Sequence, residues 1–263
     1  MTTFDALNLA AFLLSIILLG YSAYSDMRTR EVSNLVWAAY LPLALVILSV
    51  KLILDPRLLT LSIISIVTTA CLSFLMFYLG LFGGADLKAF ICLSIALPTY
   101  PFSPKLTSIN PIFPLTILYT AYFLSLSVVF YVLIKNLNWR RKNREFFKDF
   151  GETPSSKKVM VLLTGYKTSF AKLQEKVYLY PMEEISKDNS ALHRRLKLFV
   201  GAEANRDQLV RNLGEHLSEN EKEEVWVTPG IPLLLFALIA LILNAFAGDV
   251  LMWTVFKLVS ITL

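Results

Sequence analysis

Charge is absent from six long stretches of the chain: no Asp, Glu, Lys or Arg occurs in 6–25, 32–50, 58–85, 89–104, 106–134 or 225–248. A bilayer core about 30 Å thick takes about 20 helical residues, so most of these windows are long enough to cross it. The pattern predicts helix one over 9–24, helix two over 34–54 and helix three over 59–78. A short helix four starts at Ala85 or Asp86 and fades into a proline-rich loop, 98–114. Helix five covers 115–137, and helix six follows Pro229 and Pro232, residues suited to a helix start, and runs through Phe246. Between helices three and four, Gly80-Leu81-Phe82-Gly83-Gly84 favours a bend over a continued helix.

Between helices five and six the pattern reverses. Residues 138–230 hold 17 Lys or Arg and 14 Asp or Glu. Here 158–163 and 176–180 read as short strands, with Gly165 offering a turn, and 192–199 and 206–217 read as amphipathic helices. The expected fold is therefore mainly α: a polytopic membrane protein with six transmembrane helices and a small α+β soluble domain inserted between helices five and six. Its divisions are a membrane domain (1–137), a cytoplasmic soluble domain (138–228) and the sixth helix with the C-terminus (229–263).

Composition agrees. Of 263 residues, 56% are apolar and 17% charged, against roughly a quarter charged in an ordinary soluble domain; the mean hydropathy is +0.58. The net charge of +5 would suggest nucleic acid in a soluble protein. Here it is explained by membrane orientation, so membrane lipid is the expected partner and nucleic acid is not. The run Arg140-Arg141-Lys142-Asn143-Arg144 marks the cytoplasmic end of helix five. Alternation then puts the segments around Asp26 and Gly83 on the cytoplasmic side, and those around Asp55 and Pro104, with both termini, outside. Lys51, Arg57, Lys105 and Lys257 count against that orientation. The first helix lacks a basic flank and a small-residue cleavage signal, and is expected to be retained.

Asp26 and Asp86 stand out, at the ends of helices one and four on the same membrane face. Ionisable groups beside hydrocarbon are costly and often functional. Two carboxyls that meet in a partly dry pocket share a proton, so one can act as general base on a water while the other polarises a peptide carbonyl. A glycine-rich bend before Asp86 would admit a substrate backbone. Arg28 and Lys88 follow the two acids and either favour their ionised state or meet lipid phosphates. Asn34 either hydrogen-bonds back toward Asp26 or caps helix two. Alternatives remain open: acids that simply face water, or a small transporter using them as a proton relay. Asp249 is expected at the outer interface. Cys71 and Cys92 lack Cys-x-x-Cys spacing, His193 and His216 have no acidic partner at metal or triad spacing, and no Gly-x-Ser-x-Gly or His-Glu-x-x-His occurs. No metal and no organic cofactor are expected.

Three segments together resemble the GxGD aspartyl proteases of the type IV prepilin peptidase group, in their archaeal preflagellin peptidase branch. Asp26-Met27-Arg28-Thr29-Arg30-Glu31-Val32-Ser33-Asn34 follows helix one, where that family has its first catalytic Asp and then an Asn. Gly83-Gly84-Ala85-Asp86-Leu87-Lys88 precedes helix four, where the family has Gly-x-Gly-Asp. Trp226-Val227-Thr228-Pro229-Gly230-Ile231-Pro232 resembles the entry into its last helix. The motif's second glycine is Ala85 here, which requires a backbone conformation that alanine can occupy. The likeness covers essentially the whole chain. It implies a catalytic pair, Asp26 and Asp86, with Gly83, Gly84, Ala85, Asn34, Arg28 and Lys88 shaping the site. It also implies hydrolysis of the short basic leader of preflagellin or pilin-like precursors at the cytoplasmic face of an archaeal cell membrane. The cysteine tetrad of bacterial prepilin peptidases is absent, which points to peptidase activity without N-methylation. A signal-peptide-peptidase-like protease is a further alternative, but its first Asp sits inside a Tyr-Asp helical motif, unlike Ser25-Asp26.

Overall fold

The computed structural model describes residues 2–103, 105–106, 110–141, 146–147, 150, 153–188, 191–198, 205–215 and 223–262. Their order is α1 (Thr3–Thr29), α2 (Asn34–Leu54), α3 (Leu58–Tyr78), α4 (Gly84–Ala96), α5 (Phe113–Arg140), α6 (Ser155–Thr164), β1 (Tyr166–Ser169), α7 (Phe170–Glu175), β2 (Leu179–Pro181), β3 (Glu183–Asp188), β4 (Ala191–Leu196), α8 (Arg206–Gly214), β5 (Glu224–Pro229), α9 (Leu233–Ala247) and α10 (Val250–Thr262). These form two compact units, one of residues 1–125 with 232–263 and the other of residues 126–231.

The first unit holds α1, α2, α3 and the start of α5; these four helices are long and apolar enough to cross a membrane, and α9 with α10, bent by 64° at their break, can count as a fifth span. The protein is thus a mainly α, multi-pass membrane protein with four to five such helices among the described residues. The expected six differ by α4. Its 13 residues extend only about 20 Å at 1.5 Å per residue, short of the hydrocarbon thickness. Large apolar side chains such as Ile17, Leu35, Ile53 and Phe74 are exposed on these helices, as lipid-facing surfaces require and water-facing ones seldom allow.

Local chemistry sets the helix ends. Thr2 and Asp5 form a reciprocal capping box at the start of α1, with Asp5 N–H on Thr2 Oγ1 at 3.1 Å and Thr2 N–H on Asp5 Oδ2 at 2.8 Å. At its other end α1 continues beyond the expected 24 to Thr29. Thr29 Oγ1 donates to the Ser25 carbonyl at 3.0 Å, while Arg30 N–H donates to the Asp26 carbonyl at 3.0 Å. Asp26 therefore lies inside the last turns of α1, not in a loop after it. Gly80, at φ 71°, ends α3; Leu81 N–H then reaches back to the Met76 carbonyl at 2.9 Å, as in a Schellman turn.

Phe12, Leu19, Trp37, Phe90, Leu93 and Leu241 belong to the buried core of this unit. α4 lies against α2 and α3, and α1 against α9. Ser15 and the Tyr40 hydroxyl, 2.9 Å apart, tie α1 to α2. Asp249, expected at the outer interface, is fully buried within the protein. It accepts from the Tyr119 hydroxyl and from Met252 N–H at 3.1 Å, capping α10.

The second unit is the inserted α+β domain. β5 is the middle strand of a three-stranded antiparallel sheet in the order β1-β5-β2, and β3 pairs with β4. Val225, Trp226 and Val227 of β5 are all fully buried. Segment 226–229, expected as the approach to the last helix, is mostly this central strand, and the helix itself begins after Pro232.

Two expectations here are corrected. Segment 158–163 is helical, within α6, because the side-chain amide of Asn136 donates to the carbonyls of Leu162 and Gly165, each at 2.8 Å, and completes its last turn. Segment 192–196 is extended, because it pairs with β3 in register from Asp188↔Ala191 to Glu183↔Leu196. Of the expected helix 206–217, residues 206–214 form α8 and 216–217 lie outside the described residues; of the expected strand 176–180, only Leu179 and Tyr180 are extended, in β2. Gly165 joins α6 to β1 where a Cβ would come within 2.2 Å of Met182 Sδ and 2.7 Å of the Val227 carbonyl oxygen, so close packing requires glycine there.

Candidate active site

Asp26 is on the last turns of α1 and Asp86 on the first turn of α4. Both are partly buried, and the two carboxyls lie within electrostatic reach of each other. Asp86 stands three residues into the helix from Gly83, and its Oδ2 accepts Gly83 N–H at 3.0 Å. A carboxylate at a helix N-terminus is favoured by the exposed amides there. The bend before it ends in Phe82, which is fully buried and stacks on Phe90 at 5.6 Å and on Tyr122 at 5.9 Å. Tyr122, from α5, is in turn within electrostatic reach of Asp86.

The glycine motif is accounted for locally. Gly83 precedes α4, Gly84 is its first residue, and Ala85 follows within it. Ala85 has helical backbone and packs against the core, so alanine serves where the resemblance had glycine.

The three bases near the acids have separate partners. Arg28 is exposed and donates to the Tyr24 hydroxyl at 2.9 Å. Lys88 donates to Asn34 Oδ1 at 2.7 Å, so Asn34 bridges the starts of α2 and α4. The cap of α2 is Ser33, whose Oγ accepts Leu35 N–H at 3.3 Å. The cation at the acids is Arg30, whose Nη1 lies 3.4 Å from Asp26 Oδ2 and which is also within electrostatic reach of Asp86. Its signal was the i,i+4 spacing from Asp26, which counts only once α1 continues that far.

Among the described residues no group of three or more His, Cys, Asp and Glu is placed to hold a metal ion. His193 is on β4 and His216 lies outside the described residues.

Two carboxyls from different helices, adjoining a glycine bend, are compatible with an aspartic-type membrane peptidase. That is the class of this protein. Residues 13–134 match the type IV leader peptidase family and residues 157–250 match the archaeal peptidase A24 C-terminus, type II; the chain belongs to this family of GxGD aspartic peptidases. It is similar over most of its length to curated relatives called preflagellin peptidase. That of Methanocaldococcus jannaschii is 26% identical over 251 residues, covering 90% of this chain and 94% of the relative. That of Methanococcus voltae is 24% identical over 250 residues, covering 91% and 95%. That of Methanococcus maripaludis is 25% identical over 243 residues, covering 87% and 90%.

Proposed function

We propose that the protein is a membrane endopeptidase that removes the short basic leader from preflagellin or type IV pilin-like precursors, with Asp26 and Asp86 as its catalytic residues. One observation carries the reading: carboxyls from the ends of α1 and α4 lie within electrostatic reach of each other beside the bend at Gly83. The preflagellin peptidases to which the chain is similar support the substrate class.

In this mechanism one carboxylate removes a proton from water as the water oxygen bonds to the scissile carbonyl carbon. The other carboxyl, protonated, hydrogen-bonds to the carbonyl oxygen and transfers its proton as the tetrahedral diol forms. The diol collapses as one of its hydroxyls returns a proton to the second carboxylate, the C–N bond breaks, and the leaving amine takes up the proton held by the first acid. Gly83, Gly84 and Ala85 leave room for the substrate backbone. The Asn34–Lys88 bond braces the start of α4, and Arg28 stays at headgroup level.

Six membrane passes belong to the same reading, with α4 as the short one and the bent α9–α10 pair as the last. Support comes from the charge-free stretch 89–104 and from the packing of α4 against α2 and α3. The Lys/Arg run after α5 supports a cytoplasmic site in an archaeal cell membrane. Domain 138–228 then lies in the cytoplasm, where it recognises the precursor.

The test is cleavage of a membrane-embedded preflagellin by the purified full-length protein, alongside Asp26→Asn and Asp86→Asn. Each substitution is expected to abolish cleavage while the protein stays folded. A variant that cuts at the wild-type rate removes that Asp from the mechanism.

A further inference from the structure

The two carboxyls do not stand in equivalent surroundings. Arg30 Nη1 lies 3.4 Å from Asp26 Oδ2, with side chains 14% and 18% exposed. Asp86 accepts the uncharged Gly83 N–H and adjoins the Tyr122–Phe82 stack, with Arg30 only within electrostatic reach. The other bases of this region are engaged elsewhere, Arg28 with Tyr24 and Lys88 with Asn34.

The backbone at Arg30 is also unusual. Its φ of 59° makes it the one non-glycine residue with positive φ among the described residues. Glycine would take that conformation without steric cost, so turn geometry alone does not account for an arginine. The conformation is held from outside: Ser25 Oγ and Thr29 Oγ1 both donate to the Glu31 carbonyl, at 2.7 and 3.1 Å, and Arg30 N–H donates to the Asp26 carbonyl. A strained residue fixed by its surroundings beside candidate acids is a sign of use. The left-handed turn brings the arginine side chain back along α1 to the carboxyl one turn earlier.

We propose that Arg30 is a positioning residue that makes the pair asymmetric, holding Asp26 as the carboxylate that takes the proton from water and leaving Asp86 to carry the proton given to the peptide carbonyl. This rests on the proposed function and assigns roles that the function leaves open. The groups facing the pair are Arg30 from α1 and Tyr122 from α5; a neutral phenol cannot replace the guanidinium charge.

The experiment measures kcat and KM for a membrane-embedded preflagellin from pH 4 to 9 with wild type, Arg30→Gln, Arg30→Lys and Arg30→Gly. Without the guanidinium, Asp26 ionises less readily, so the acidic limb of kcat/KM moves upward by about one pH unit. Activity on that limb falls about tenfold, through kcat more than KM. Arg30→Gly, which also relieves the backbone strain, shows the same displaced limb as Arg30→Gln, whereas Arg30→Lys returns it toward wild type. Profiles for Arg30→Gln and Arg30→Gly that superimpose on wild type overturn the inference, as does a limb displaced equally by lysine. Failure of the underlying reading is separate: it appears as cleavage by Asp26→Asn or Asp86→Asn. If both of those are inactive and the Arg30 profiles are unmoved, only the role of Arg30 falls.

Discussion

The protein contains two acid–arginine pairs of opposite design. In the membrane unit, Asp26 in the last turns of α1 and Arg30 just past its end lie 3.4 Å apart, both partly open to solvent. In the inserted unit, Glu183 is completely buried and lies 2.6 Å from Arg194. Glu183 also accepts Trp226 N–H at 2.6 Å, while Arg194 binds Glu223 and the Glu224 carbonyl, each at 2.9 Å. The second pair is saturated and ties β3, β4 and β5 together. The first is local and worth only about 0.3–0.5 kcal/mol as an i,i+4 pair, too little to explain an arginine in a strained conformation. A saturated buried network serves the fold, whereas a loosely held carboxyl beside a second acid remains free for chemistry.

Breaking each pair should produce opposite consequences. Asp26→Asn or Asp86→Asn is expected to lower cleavage by at least about 100-fold, the usual scale for a proton-transferring group, with an unchanged melting temperature; substrate turnover and thermal unfolding check the two halves. Arg194→Met leaves a buried glutamate unpaired and is expected to destabilise the inserted unit by about 3–5 kcal/mol, seen as earlier proteolysis between 142 and 231. Gly165→Ala forces a methyl group against Met182 and the Val227 carbonyl. It is expected to cost about 1–3 kcal/mol, read by denaturant unfolding of the full chain.

Acid–base titration sharpens the contrast. Burial pushes the Glu183 carboxyl above the usual glutamate range, although Arg194 and Trp226 N–H pull it back. A carboxyl whose folded value exceeds its unfolded value binds protons more tightly in the folded state. Its contribution is therefore full below the ordinary glutamate value of about 4.3 and is lost as pH rises through the raised folded value. Melting curves should lose that component in Glu183→Gln. The smallest effect belongs to the exposed pair Lys197–Glu184, 3.6 Å apart. Lys197→Gln is expected to change stability by less than about 0.5 kcal/mol, within the spread of repeated melts.

Much of the site was legible in advance. Asp26 and Asp86 are conspicuous because charged residues punctuating apolar stretches mark where helices leave the membrane, and Gly83 because clustered glycines favour a bend. Arg30 is not singled out by a helix expected to end at 24. Without the turns through Thr29, Arg28 and Arg30 are equivalent; with them, only Arg30 stands one turn from the acid. Asn34 was assigned to Asp26 or to a cap, but its partner, Lys88, comes from α4. In the inserted unit, 158–163 carries the β-branched residues Val159 and Val161 yet is helical, since Asn136 supplies the bonds that its last turn needs.

What the sequence determined by itself was the partition of the chain between lipid-crossing and polar segments, the bend before α4, and the two acids at helix ends. These follow from the solvation of each segment and the conformational freedom of glycine, which are properties of short stretches. Only the tertiary structure decided which base meets which acid, that Asp249 is buried against Tyr119, and that 192–196 pairs as a strand. Those outcomes depend on partners far along the chain. A hydrogen bond or ion pair gains its strength from the geometry and burial of both members, and neither is defined until the elements have packed.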